Sequence, residues 1–163
     1  MKILPMKPEH WIAVKEIYEE GIATGNATFE TESPSWEKWN ASHLPFARII
    51  AEQENEILGW AALSKVSDRC VYEGVAEVSV YVKSSARGKG VGSQLLNSLI
   101  KESEENNIWT LTAGIFPENV SSIHIHEKSG FRILGRRERI GKMKSKWRDT
   151  LQLERRSTVV GVD

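Results

Sequence analysis

Glu73–Val82 (EGVAEVSVYV) alternates so that Val75, Glu77, Ser79 and Tyr81 share one face while Ala76, Val78, Val80 and Val82 share the other. That pattern predicts a half-buried strand. The chain then turns through Arg87-Gly88-Lys89-Gly90-Val91-Gly92-Ser93 and enters Gly88–Asn106, where Val91, Leu95, Leu96, Leu99 and Ile100 recur at helical spacing. Strand, glycine-rich turn and amphipathic helix in that order demand a sheet on which the helix can bury its stripe.

The flanking segments supply that sheet. Lys2–Met6 reads as a short strand, and Pro8–Ile22 as a helix carrying Trp11, Val14, Ile17, Tyr18 and Ile22. A second helix is predicted over Ser35–His43. Arg48–Glu52 and Ile57–Val66 form a hairpin around the polar Glu54-Asn55-Glu56. Thr110–Ile115 is a strand, Val120–Ser129 a short helix stopped by Gly130, and Phe131–Arg139 with Leu151–Arg155 are closing strands. The expectation is an α+β fold with a mixed, α/β-type central sheet of about six to seven strands and helices on both faces. A single domain is expected over residues 1–163, with 157–163 as a loose or partner-bound tail.

Composition narrows the function. The 163 residues carry 22 Lys+Arg against 22 Asp+Glu, so no net positive field favours nucleic acid or an anionic membrane. One cysteine, Cys70, cannot build an intramolecular disulfide or an all-Cys metal site. His124 and His126, two apart on a helix, point to different sides, and no metal site is expected. No apolar run approaches a membrane span, and MKILPMKPEH lacks a signal peptide's apolar centre. These features predict a cytoplasmic protein whose function resides in a small-molecule site.

The glycine-rich turn is the first candidate for that site. Gly88, Gly90 and Gly92 leave room for an anion to reach backbone N–H groups, and the following helix adds its positive dipole end. Physically this is a pyrophosphate cradle. It is not a Walker loop, because Gly88-Lys89 is followed by Gly90 rather than Ser or Thr. Nor is it the dinucleotide fingerprint, since Ser93 stands where the third glycine belongs. Glu77 is the second candidate: the only charged residue between Gly74 and Val82, it is either a carboxylate available for proton transfer or an ordinary solvated or ion-paired strand residue.

The turn resembles the Arg/Gln-x-x-Gly-x-Gly/Ala loop of the GNAT superfamily of acetyl-CoA-dependent N-acetyltransferases, which also lies between a splayed fourth strand and the third helix. The resemblance implies that Arg87, Gly88, Lys89, Gly90, Val91, Gly92 and Ser93 hold the CoA pyrophosphate. It also implies that the main chain of Val80, Tyr81 and Val82 holds the pantetheine arm. Asn119 to Phe131 is similar to the superfamily's second cofactor segment, which assigns Asn119 and Lys128 to CoA. There His126 stands where a Tyr is usual, able to protonate the departing thiolate or to orient a water or the sulfur.

His at that position matches the branch containing phosphinothricin and methionine sulfoximine acetyltransferases. Ala27-Thr28-Phe29-Glu30-Thr31-Glu32, Arg69-Cys70-Val71-Tyr72 and Trp147-Arg148-Asp149-Thr150 extend the likeness over most of the chain. It implies Phe29 and Tyr72 shaping a substrate pocket, with Arg69 and Val71 near the substrate; an Arg fork suits a carboxylate. It also implies acetyl-CoA as co-substrate, a small amino-acid-like amine as acceptor, direct attack in a ternary complex and a homodimer. Alternatives are a peptide N-terminus, a polyamine or an aminoglycoside as acceptor, or a CoA-binding sensor without chemistry. The basic stretch Arg136–Arg148 reads as a solvated hairpin, with the CoA 3′-phosphate or a partner chain as other uses.

Overall fold

The alternating strand and the helical stripe meet as their patterns require. In the computed structural model, which describes residues 1–163, the strand spans Val75–Val82 and the helix Val91–Glu105. Ala76, Val78, Val91, Leu95, Leu96 and Leu99 are buried in one 19-residue apolar cluster, with Val80 and Val82 packed against it.

Numbered in chain order, the strands are β1 (Lys2–Pro5), β2 (Ile49–Gln53), β3 (Glu56–Lys65), β4 (Val75–Val82), β5 (Thr110–Ile115), β6 (Arg132–Met143) and β7 (Lys146–Arg156). The helices are α1 (Trp11–Ala23), α2 (Trp36–Ser42), α3 (Val91–Glu105) and α4 (Val120–Lys128). One mixed seven-stranded sheet runs β1-β2-β3-β4-β5-β7-β6. Only β4 and β5 are parallel, joined by the α3 crossover. α3 and α4 cover one face. On the other, Val14 and Ile17 of α1 and Trp39 of α2 pack with Ile50, Trp60 and Ala62. Ser35 starts α2 by accepting the Lys38 N–H at 3.3 Å.

Element boundaries differ from expectation where backbone geometry intervenes. Pro8–His10 is a 3-10 turn, so α1 begins at Trp11. α3 begins at Val91 rather than Gly88, because Gly88 and Gly90 sit at φ +73° and +81°, outside helical space. The closing strands are far longer than expected and meet at Lys144-Ser145, with φ 47° and 67°. Positive φ at both central residues is the tight hairpin geometry usually supplied by Asn-Gly, so the turn left little sequence signal.

Residues 157–161, within the segment expected to be a loose or partner-bound tail, pack on the chain itself. The Ser157 hydroxyl donates to Glu104 at 2.8 Å, and Arg156 donates to the carbonyls of Val160 and Gly161. These contacts fold the end of the chain onto its own β7 and α3.

Gly59 of β3 lies opposite Val82, and a Cβ there would come within 2.7 Å of the Tyr81 carbonyl oxygen and 2.8 Å of a Leu95 methyl. Gly59→Ala should therefore destabilise the fold by about 1–3 kcal/mol, the usual cost of overpacking. Chemical denaturation should show a lower midpoint with an unchanged m-value.

Candidate active site

The sheet opens at its centre. β4 and β5 pair only through Val75↔Thr110, Ala76↔Leu111 and Glu77↔Thr112. Beyond that point β4 stays on β3 as far as Gly59↔Val82, while β5 stays on β7 as far as Ile115↔Leu151. The β4 edge from Val78 to Val82 thus faces no strand, and buried backbone groups on such an edge require a partner. Glu77 is the last paired residue of β4, at the vertex of this fork.

A cleft of about 920 Å³ lies over the fork. Its walls include Glu77, Ser79, Val80 and Tyr81 of β4, Ala113–Phe116 at the end of β5, and Asn119, Ser122 and His126. Phe29, Tyr18, Trp39 and Trp60 form an aromatic side, on which Trp60 stacks on Tyr81 at 4.8 Å. Phe29 meets Phe116 edge-on at 4.8 Å and rests on Gly141, where a Cβ would lie 2.7 Å from its ring. Phe29 therefore forms part of the cleft wall.

Arg148 holds that wall. It is buried, lies 4.1 Å over the Phe116 ring, and donates to the Gly25 carbonyl and Asn26 Oδ1, each at 2.8 Å. Glu118, at 3.4 Å, balances its charge. The expected solvated basic hairpin is thus corrected at this residue: Arg148 fastens the loop before Phe29 to β7. A basic residue in a basic run gave no hint of burial. Asn119 also ties down this region, capping α4 by accepting the Ser122 N–H at 3.3 Å and donating to the Asn26 carbonyl at 3.2 Å.

The glycine-rich turn lies at the start of α3. None of the amides from Gly88 to Ser93 donates to a protein acceptor; the first α3 bond runs from the Gln94 N–H to Gly90. Gly88 and Gly90 combine left-handed φ with open space at the Cβ position. These residues fit a phosphate group as backbone donors. Gly92 has a different role: its Cβ would lie 3.2 Å from Ile125, so it lets α4 close against α3.

Two titratable candidates, Glu77 and His126, line the cleft. Partial burial raises the Glu77 carboxyl above its ordinary value, and the Arg137 guanidinium opposes that shift. His126 is 4% exposed and edge-on to Phe131, and burial lowers its pKa, so the neutral ring is favoured. Its Nδ1 lies 2.7 Å from the Ser122 carbonyl, which can only accept. The neutral ring therefore carries its proton on Nδ1 and a lone pair on Nε2.

His43 repeats this arrangement and was not a sequence candidate. Its Nδ1 donates to the Trp39 carbonyl at 2.7 Å, its ring stacks on Trp39 at 4.1 Å, and it lines the cleft. The i, i+4 spacing from Trp39 was its only signal. Arg69, Val71 and Tyr72 are not brought to the cleft. They are exposed on a 3-10 turn, with the Arg69 guanidinium 5.6 Å over the Tyr72 ring. Lys128, at the end of α4, is also exposed and outside it. No three His, Cys, Asp or Glu side chains converge as a metal site would require, and no helix is long and apolar enough to cross a membrane.

Known proteins share this construction. Residues 11–131 match the model of the acetyltransferase (GNAT) family. A phosphinothricin N-acetyltransferase of Alcaligenes faecalis is 30% identical over 151 residues, covering 88% of this chain and 76% of that protein. An L-methionine sulfoximine/L-methionine sulfone acetyltransferase of Pseudomonas aeruginosa is 33% identical over 101 residues, 62% of this chain and 59% of that protein. The crystal structure of a GNAT superfamily phosphinothricin acetyltransferase from Sinorhizobium meliloti, in complex with acetyl-CoA, superposes with a TM-score of 0.90 at 25% identity, covering 99% of this chain and 91% of that one. With its forked sheet and donor-lined turn, the chain belongs to the GNAT family of acetyltransferases and is an acetyl-CoA-dependent N-acetyltransferase.

Proposed function

We propose that the protein acetylates the primary amine of a small amino-acid-like molecule of the phosphinothricin or methionine sulfoximine type, by direct attack within a ternary complex. The observation that carries this is Glu77 at the vertex of the fork, with the open β4 edge on one side and the aromatic pocket on the other. The names of the relatives support the substrate class.

Acetyl-CoA supplies the activated acetyl group; the chain's residues arrange the transfer. Backbone N–H groups of the Arg87–Ser93 turn bind the pyrophosphate, and the exposed β4 edge at Val80–Val82 orients the pantetheine arm and polarises the thioester carbonyl. An amino acid's amine is mostly protonated near neutral pH and cannot attack in that state. Glu77 takes that proton, directly or through one water, and releases it to solvent. His126 accepts a second proton at Nε2 as the C–N bond forms, then returns it to the departing sulfur. The neutral ring makes His126 a proton acceptor first and a donor only afterwards. Phe29, Tyr18 and Trp60 enclose the acceptor's apolar stem.

A second acceptor class, the polyamines, draws on Glu30 and Glu32, which also line the cleft. Release of CoA thiol with a panel of amines including phosphinothricin, methionine sulfoximine and spermidine separates the two: acetylation of spermidine alone rejects the amino-acid reading.

Glu77→Gln should lower kcat/KM by roughly 100-fold or more and remove the Glu77 ionisation from the acid limb of its pH profile. In the native enzyme that limb should lie above the ordinary carboxylate range, because the raised pKa keeps Glu77 protonated to higher pH. Full kcat/KM retained by the variant from about pH 6 to about pH 9 would show that Glu77 is not the base. His126→Phe should reduce kcat far more than acetyl-CoA affinity, equal losses indicating a binding role. Gly90→Ala forces a side chain to φ +81° in the cradle, and KM for acetyl-CoA should rise about 5- to 10-fold with a smaller change in kcat.

A further inference from the structure

The β6–β7 hairpin is rich in arginine, and most of these residues have an acidic partner. Arg132 pairs with Glu154, Arg136 with Asp149, Arg148 with Glu118 and Arg155 with Glu104. Arg156 is occupied by carbonyls of the C-terminal segment. Arg137 and Arg139 have no carboxylate partner for their side chains, and of these two only Arg137 lines the cleft.

Strand register explains how Arg137 reaches it. Directly paired residues share a sheet face, as do residues two apart on one strand. Glu77 pairs with Thr112, Gly114 with Gln152, and Thr150 with Arg137. With Thr112 and Gly114 two apart on β5, and Thr150 and Gln152 two apart on β7, Glu77 and Arg137 project from one face of the sheet. Gly114 contributes no side chain between them. The sheet thus displays on one face, within one cavity, a carboxylate and a guanidinium that forms no salt bridge.

We infer that Arg137 anchors the carboxylate of the acceptor, so that the cleft recognises the free amino acid by its two opposite charges. Its guanidinium can grip a carboxylate with two parallel N–H donors, while Glu77 receives the ammonium. This inference rests on the amino-acid reading of the substrate and extends it. It also moves the carboxylate fork from Arg69, which lies outside the cleft, to a residue that sequence reading had placed in a solvated basic run.

The test compares L-methionine sulfone with its α-carboxamide, in the native enzyme and in Arg137→Met, at saturating acetyl-CoA and fixed pH. The ratio of kcat/KM for acid over amide should fall about 30-fold in the variant, as expected for loss of a charge-assisted bidentate contact. Arg137→Lys should restore part of the ratio. An effect on folding scales both substrates alike and cancels, and repeating the ratio at a pH where both amines are largely unprotonated removes any effect through Glu77. An unchanged acid-to-amide ratio overturns the inference while leaving the substrate class intact. Failure of the native enzyme to acetylate any amino acid in the amine panel overturns the substrate class and this inference with it.

Discussion

The parting of β4 and β5 after Glu77↔Thr112 is the constraint on which the rest of the structure depends. Each strand keeps its outer neighbour, so the sheet loses none of its other ladders while gaining an unpaired backbone edge at its centre. An edge of that kind is costly to bury and receptive to any extended chain with amide groups of its own. Everything functional is arranged around it. The glycine-rich turn follows the free end of β4, α4 brings His126 to one wall, and the aromatic layer of α1 and α2 closes the other face.

Electrostatics within the fork follow from burial and from fixed hydrogen bonds. Glu77 stands in a partly apolar cleft, which holds its pKa up and suits it to exchange protons nearer neutrality. His126 is held neutral by burial, and the Ser122 carbonyl fixes which nitrogen bears the proton. In the proposed reaction the two side chains are both proton acceptors at the start of a turnover. Arg148, though never in contact with the fork's vertex, sets the shape of the aromatic wall through Gly25, Asn26 and Phe116.

Much of the fold was legible because its signals are local. The alternation of Val75–Val82, the stripe of α3 and the short helix expected over Ser35–His43 each depend on neighbours within a few residues. The Lys144-Ser145 hairpin was not legible, since its positive φ values are imposed by the long β6–β7 ladder rather than by residues that favour them. Among site residues, Glu77 and His126 stood out through the strand pattern and the family segment, and the structure brings both to one cleft. Arg69, Val71 and Tyr72 had a motif to recommend them but lie on an exposed turn. His43 had no motif and is placed by Trp39 four residues before it, while Arg148 stood in a family-like segment that gave no sign of its contacts with Gly25 and Asn26, more than 120 residues away.

The sequence by itself determined the layers of the protein and the position of the glycine-rich turn, because hydrophobic period and glycine placement act over short stretches of chain. Only the tertiary structure decided which charges are solvated and which are put to use. Arg136, Arg137, Arg148 and Arg155 are alike in a sequence, yet three are neutralised by carboxylates and one faces the cleft unpaired. That distinction is made by strand register and by partners as distant as Glu104 and Glu118, brought near only when the sheet closes.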